Sequence, residues 1–183
     1  SYARQGLKLA TKLNYQYGIA KSHRFIGLSY RVRNDYSKAL HYFNIALKQA
    51  REMNNYSLET RVYTNIGLIY RAQASYKRAL EYMFRSLKIS EKLQDSTGIA
   101  STCNNMGVVY ASQKNYDLAL QYYQRALKIK RALGRKRSMA STIHNIGNIY
   151  RWQGKYGLAM EYSLEAAKIK KEINGDLNKL SPS

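Results

Sequence analysis

The residues from which a catalytic or metal centre would have to be assembled are few and scattered. Cys103 is the single cysteine, and His23, His41 and His144 are the three histidines. No two histidines stand one helical turn apart, and a lone cysteine forbids both an intrachain disulfide and a multi-cysteine metal site. No Ser/His/Asp or Cys/His grouping, phosphate loop or carboxylate pair stands out. The expectation is therefore a protein with no catalytic residue, no metal and no cofactor. What the sequence does offer is recognition chemistry. One register reads Phe25, Asn65, Asn105, Asn145, and its neighbour reads Arg24, Thr64, Asn104, His144. One turn on come Leu28, Leu68, Val108, Asn148, followed by Arg31, Arg71, Ala111, Arg151. An asparagine amide both donates and accepts, so it pairs with the backbone of an extended peptide whatever its side chains. Guanidinium groups pair with carboxylates.

Charge adds a second theme. The chain carries 31 Lys and Arg against 11 Asp and Glu, a formal net charge of +20. Attraction to an acidic partner follows, but charge alone does not choose among nucleic acid, anionic lipid and acidic protein segments. The densest cluster is Lys128, Lys130, Arg131, Arg135, Lys136 and Arg137. Such a cluster suits phosphates, which makes a nucleic-acid-binding array the alternative to peptide recognition. It suits equally a solvated surface that complements a helix C-terminus. No run of 18 apolar residues is present, so no membrane span is expected. The compartment stays open, with the cytoplasm favoured.

These groups sit on a repeating frame. Gly27, Gly67, Gly107 and Gly147 are each 40 residues apart. The same step carries Tyr30, Tyr70, Tyr110 and Tyr150, then Ala39, Ala79, Ala119 and Ala159, then Tyr42, Tyr82, Tyr122 and Tyr162. Tyr36, Tyr76, Tyr116 and Tyr156 complete three tyrosine columns, which together account for 12 of the 18 tyrosines. Within a unit the apolar spacing is helical: Tyr63, Ile66, Gly67 and Tyr70 make one stripe, and Ala79, Leu80, Met83, Leu87 and Leu93 another. First helices are expected near 18–32, 58–72, 98–112 and 138–152. Second helices, read as the longer ones, are expected near 3–14, 36–53, 76–93, 116–133 and 156–173. A residue without Cβ lets two helices of a pair approach closely, which gives the glycine column its purpose. The alanine column does the same from the facing helix.

The pattern of a large residue, aliphatic-Gly, Tyr, Ala and a bulky residue appears as Tyr63, Ile66-Gly67, Tyr70, Ala79 and Met83. It returns as Cys103, Met106-Gly107, Tyr110, Ala119 and Tyr123. This resembles the tetratricopeptide repeat, in its long variety with a 40-residue period, as in kinesin light chains and bacterial signalling proteins. The resemblance implies an all-α, right-handed superhelical solenoid of antiparallel helix pairs. The repeats would span 18–57, 58–97, 98–137 and 138–177, after a second helix of a preceding repeat in 1–17 and before a tail in 178–183. It also implies that first helices line a concave groove.

Lys21, Arg24, Arg31, Arg61, Arg71 and Arg151 lie on those first helices against one acid, Glu59. The groove is therefore expected to be basic and to bind an extended or acidic peptide of a protein partner. Its contacts would be Arg24, Arg31, Arg61, Asn65, Arg71, Asn104, Asn105, His144, Asn145, Asn148 and Arg151. Cys103 and His23 fall on the apolar stripe and read as core residues. Trp152 either anchors a partner or covers a helix turn. Pro182 falls where a fifth first helix is expected and would interrupt it. No polar capping helix is evident, so the array is expected to continue beyond this chain, and its exposed ends to pair.

Overall fold

Among the described residues, eight chain reversals spaced 20 residues apart set the architecture. Asn14, Asn34, Asn54, Ala74, Gln94, Lys114, Gly134 and Gly154 all adopt positive φ, between 49° and 74°. At the second reversal the Asn34 N–H bonds to the Arg31 carbonyl and the Asp35 N–H to the Tyr30 carbonyl. This is the Schellman closure, which satisfies the last carbonyls of one helix. The next residue caps the following helix: Asp35 accepts from the Lys38 N–H, Asn55 from Leu58, Asp95 from Gly98 and Asn115 from Leu118. One three-residue turn thus stops one helix and starts the next.

The computed structural model describes residues 2–179. Among them the helices run α1 (Tyr2–Lys12), α2 (Gln16–Val32), α3 (Tyr36–Glu52), α4 (Tyr56–Ala72), α5 (Tyr76–Lys92), α6 (Ser96–Ser112), α7 (Tyr116–Ala132), α8 (Lys136–Trp152) and α9 (Tyr156–Lys179). No strand occurs among the described residues. Three expectations are corrected. First and second helices are equal, each of α2 to α8 having 17 residues, so the longer period does not come from extended second helices. First helices also begin two residues earlier than expected, at Gln16, Tyr56, Ser96 and Lys136, with Asn55 and Asp95 capping α4 and α6. α9 has 24 residues, running past the expected end at 173. Pro182 lies outside the described residues.

The chain divides into two units, Ser1–Gly98 and Ile99–Ser183. In the first, α2 packs on α3, α4 on α5, and α3 on α4. Its core joins Phe43, Ala46, Leu47, Val62, Ile66 and Ile69. In the second, α7 packs on α8 and α8 on α9, around Tyr123, Leu127, Ile143, Ile146 and Ile149.

The glycine column behaves as its spacing suggests. A Cβ on Gly67 would lie 3.1 Å from the Ala79 carbonyl oxygen, and one on Gly107 would lie 2.6 Å from the Tyr123 ring. Two of the tyrosine columns stack on each other in every hairpin. Tyr30 meets Tyr42, Tyr70 meets Tyr82, Tyr110 meets Tyr122 and Tyr150 meets Tyr162, with centroids 5.4–5.5 Å apart. Each such pair contributes about 0.5–1.5 kcal/mol beyond area burial. No helix among the described residues is long and apolar enough to cross a membrane.

Candidate functional site

In the first unit, α2 and α4 carry the predicted recognition residues at matching registers. Arg24 is half-buried, its guanidinium resting 4.5 Å from the Phe25 ring centroid. Burial, and then the neighbouring Arg61 charge, lower its pKa below the ordinary arginine value. A guanidinium stays protonated even so, and its charge is held there at a cost. Its Nε–H is buried and meets no acceptor, and the same holds for the Nε–H of Arg31 and of Arg71, one repeat apart. Asn65 is 9% exposed, and its amide nitrogen also has no partner. Buried donors are almost always satisfied, and leaving one unmade costs about 1–3 kcal/mol. Four such donors lie on α2 and α4.

The one acid expected on the first helices does not offset them. Glu59 is buried and paired to Arg51 of α3 at 3.1 Å. Arg51 also donates to the Tyr63 hydroxyl, and the bond to Glu59, then the bond to Tyr63, raise the Arg51 pKa. The acid is spent inside the α3–α4 seam.

In the second unit Asn105, Asn145 and Asn148 are half-buried, while His144 and Arg151 are exposed. Asn104 is already engaged within the fold, its Oδ1 accepting from Lys130 at 3.2 Å and from Thr142 at 2.8 Å. Lys130 is the main correction to the expected phosphate cluster. It is buried at 8% exposure, and its ammonium also donates to the Thr142 hydroxyl at 2.6 Å and the Ser138 carbonyl at 3.2 Å. Burial pushes its pKa down to about 8. Two further members of the cluster are paired with α9: Arg131 with Glu165 at 2.7 Å and Lys136 with Glu172 at 3.5 Å. Lys128, Arg135 and Arg137 remain exposed. The reach of Lys130 was signalled by its register, where Ala10, Ala50 and Ser90 precede it. A long cation at a small, buried position must find oxygens inside.

Cys103 is buried and in no disulfide, as its place on the stripe suggests. His23 is half-buried, its Nδ1 2.9 Å from the Gln49 side-chain oxygen. Trp152 stacks on Tyr116 at 6.0 Å while keeping half its surface exposed. Among the described residues no group of three or more His, Cys, Asp and Glu is placed to hold a metal ion.

Models of the tetratricopeptide repeat match residues 18–92, 58–132 and 139–176. The chain belongs to the tetratricopeptide-repeat family. Such repeats bind protein partners, and an interaction scaffold is the class this places it in. Solved structures share the fold. BtubC (BKLC) from P. vanneervenii is 23% identical with a TM-score of 0.80, over 94% of this chain and 72% of that one. The apo form of RapI is 22% identical with a TM-score of 0.79, over 93% of this chain and 47% of that one. Aspartyl phosphate phosphatase F from Bacillus subtilis is 15% identical with a TM-score of 0.67, over 92% of this chain and 54% of that one. The chain thus spans about half the length of the last two. At these identities the likeness is one of fold. No curated protein sequence gives a significant match.

Proposed function

We propose that the chain is a non-catalytic docking module of a larger signalling or adaptor protein, binding an extended, acidic peptide of its partner against the first helices. The observation that carries this reading is the set of donors on α2 and α4: the Nε–H groups of Arg24, Arg31 and Arg71 and the amide of Asn65, all buried and unpaired. An extended peptide supplies what they lack. Its carboxylates neutralise Arg24, Arg31, Arg61 and Arg71, and a backbone carbonyl accepts from Asn65. In the second unit Asn104, Asn105, Asn145, Asn148, His144 and Arg151 are the corresponding contacts. The phosphate-binding alternative is weaker by the three cations committed elsewhere, Lys130, Arg131 and Lys136.

Fluorescence anisotropy with a labelled acidic peptide and with a single-stranded oligonucleotide tests the reading. The peptide is expected to bind, Asn65→Ala to weaken it about three- to tenfold and Arg24→Ala about tenfold or more. Between low and moderate salt, binding through several phosphates falls by orders of magnitude, and the peptide is expected to lose less. Tight oligonucleotide binding near physiological salt, with no peptide binding, would overturn the proposal.

A further inference from the structure

Two arginines on the α2–α4 face are held alike. Arg31 and Arg71 stand 40 residues apart, each in the last turn of its helix. The Arg31 carbonyl accepts from the Asn34 N–H and the Arg71 carbonyl from the Ala74 N–H, both at 3.0 Å, so the same turn fixes both backbones. Each side chain is half-buried, with its Nε enclosed and without a partner. A packed stem leaves its guanidinium little freedom to sweep, and the planar fork is already shaped for a carboxylate. Lys21 and Arg61 also share a register, but both are exposed. They supply charge at no fixed spacing. Arg24 is half-buried as well, yet Thr64 takes its place one repeat on.

Arg31 and Arg71 are thus a pair with a defined separation, and helix packing sets it. α2 and α4 are in contact. Contacting helices lie about 8–10 Å apart axis to axis, and equivalent atoms on the two are displaced by about that distance. An extended strand rises about 3.3 Å per residue and alternates its faces, so same-face residues fall about 6.6 or about 13 Å apart. Neither matches. An α-helix advances about 5.4 Å in one turn and about 10.8 Å in two, on either side of the range. A polyproline-type helix brings every third residue back to one face at about 3.1 Å per residue, a repeat of about 9.3 Å. That falls inside it.

We propose that the partner segment carries acidic side chains three residues apart and lies across α2 and α4 in the polyproline conformation, one carboxylate on Arg31 and the other on Arg71. This rests on the peptide reading above and adds to it a spacing and a backbone shape. A polyproline backbone makes no internal hydrogen bonds, so its carbonyls stay open to a donor such as the buried Asn65 amide.

Fluorescence anisotropy on the full chain in about 0.05 M NaCl tests this, with labelled peptides of one composition. Each bears two glutamates, set two, three, four or seven residues apart. Equal charge makes the general attraction to a protein of net charge +20 cancel between them. The spacing of three is expected to bind about three- to tenfold tighter than the others. Two prolines between those glutamates are expected to tighten it further and two glycines to weaken it, because proline presets the bound backbone. In Arg31→Gln or Arg71→Gln the four spacings are expected to bind alike, with circular dichroism checking that each variant keeps its helices. Acidic peptides that bind with no spacing preference would overturn the proposed spacing and leave the peptide reading in place. So would a preference for another spacing, a preference that survives both substitutions, or glycines serving as well as prolines. If none of the peptides binds, the peptide reading itself fails and the spacing with it.

Discussion

The Lys130 ammonium of α7 donates to the Thr142 hydroxyl of α8 at 2.6 Å, with no carboxylate among its hydrogen-bond partners. A cation tied into the α7–α8 seam by neutral oxygens makes the stability of that seam depend on pH. Burial lowers the folded pKa from 10.5 to about 8. Between these values the unfolded chain holds more protons than the folded one, so this lysine makes stability rise with pH; below 8 both states are protonated and the burial cost is constant. Above pH 10 the tyrosines act oppositely. Burial raises the pKa of Tyr82, Tyr110 and Tyr162, so the unfolded chain gives up those protons first. Comparing Lys130→Met with wild type cancels that background. Wild type is expected to gain urea resistance relative to the variant as pH climbs from about 8 to about 10. A difference independent of pH would show that Lys130 is not titrating there.

The turns carry a separate prediction. Ala74 closes α4 at φ 55°, a conformation that costs a residue with a Cβ about 1–2 kcal/mol, and Gly134 and Gly154 fill the equivalent place without that cost. Ala74→Gly is expected to stabilise the first unit by about 0.5–1 kcal/mol, part of the relief being lost to the freedom glycine gains when unfolded. Urea denaturation reads the sign directly. A destabilised variant would mean that the alanine methyl makes a contact worth more than the strain.

Much of this was legible in the sequence, for a physical reason. A period of 40 in glycine, alanine and tyrosine forces a stack of identical hairpins, since each residue type answers the same close crossing in every unit. The half-period of 20 was hidden, because the left-handed positions are filled by Asn, Ala, Gln, Lys and Gly and share geometry, not chemistry. Lys130 and Glu59 misled for a related reason. Charged residues read as surface, yet the first reaches Asn104, Ser138 and Thr142 and the second is sealed by Arg51. Their partners lie 8 to 26 residues away across a helix seam, beyond any single-helix pattern. Asn65 stands out in the sequence for its amide. That the amide would be both buried and unpaired depends on packing that spacing alone does not describe.

Gly107 tests the packing argument. Alanine is the better helix former by about 1 kcal/mol, so a solvent-facing glycine mid-helix would gain from the change. At Gly107 the added Cβ would sit 2.6 Å from the buried Tyr123 ring, which has nowhere to go. Overpacking of this kind costs about 1–3 kcal/mol, which exceeds the propensity gain. Gly107→Ala is therefore expected to lower the denaturation midpoint. Gly107→Ala in a Tyr123→Leu background, where the ring is gone, is expected to recover most of the loss. If the double variant is no better than the sum of the two single ones, the clash is not the cause.

A substitution at Asn65 tests whether that residue serves folding or recognition. Its buried nitrogen makes no hydrogen bond, so the folded chain bears a desolvation cost that a ligand would remove. Leucine is close to asparagine in size and has no polar atom to strand. Asn65→Leu is expected to raise the stability of the free protein by about 1 kcal/mol while weakening an acidic peptide about three- to tenfold. A residue that only spaces the helices would move both measurements in the same direction, because loosening the α2–α4 face would lower stability and binding together. Thermal denaturation and peptide anisotropy on the same preparation decide between these. Opposite signs are what a donor reserved for a ligand requires, and a loss of stability with unchanged binding would remove Asn65 from the site.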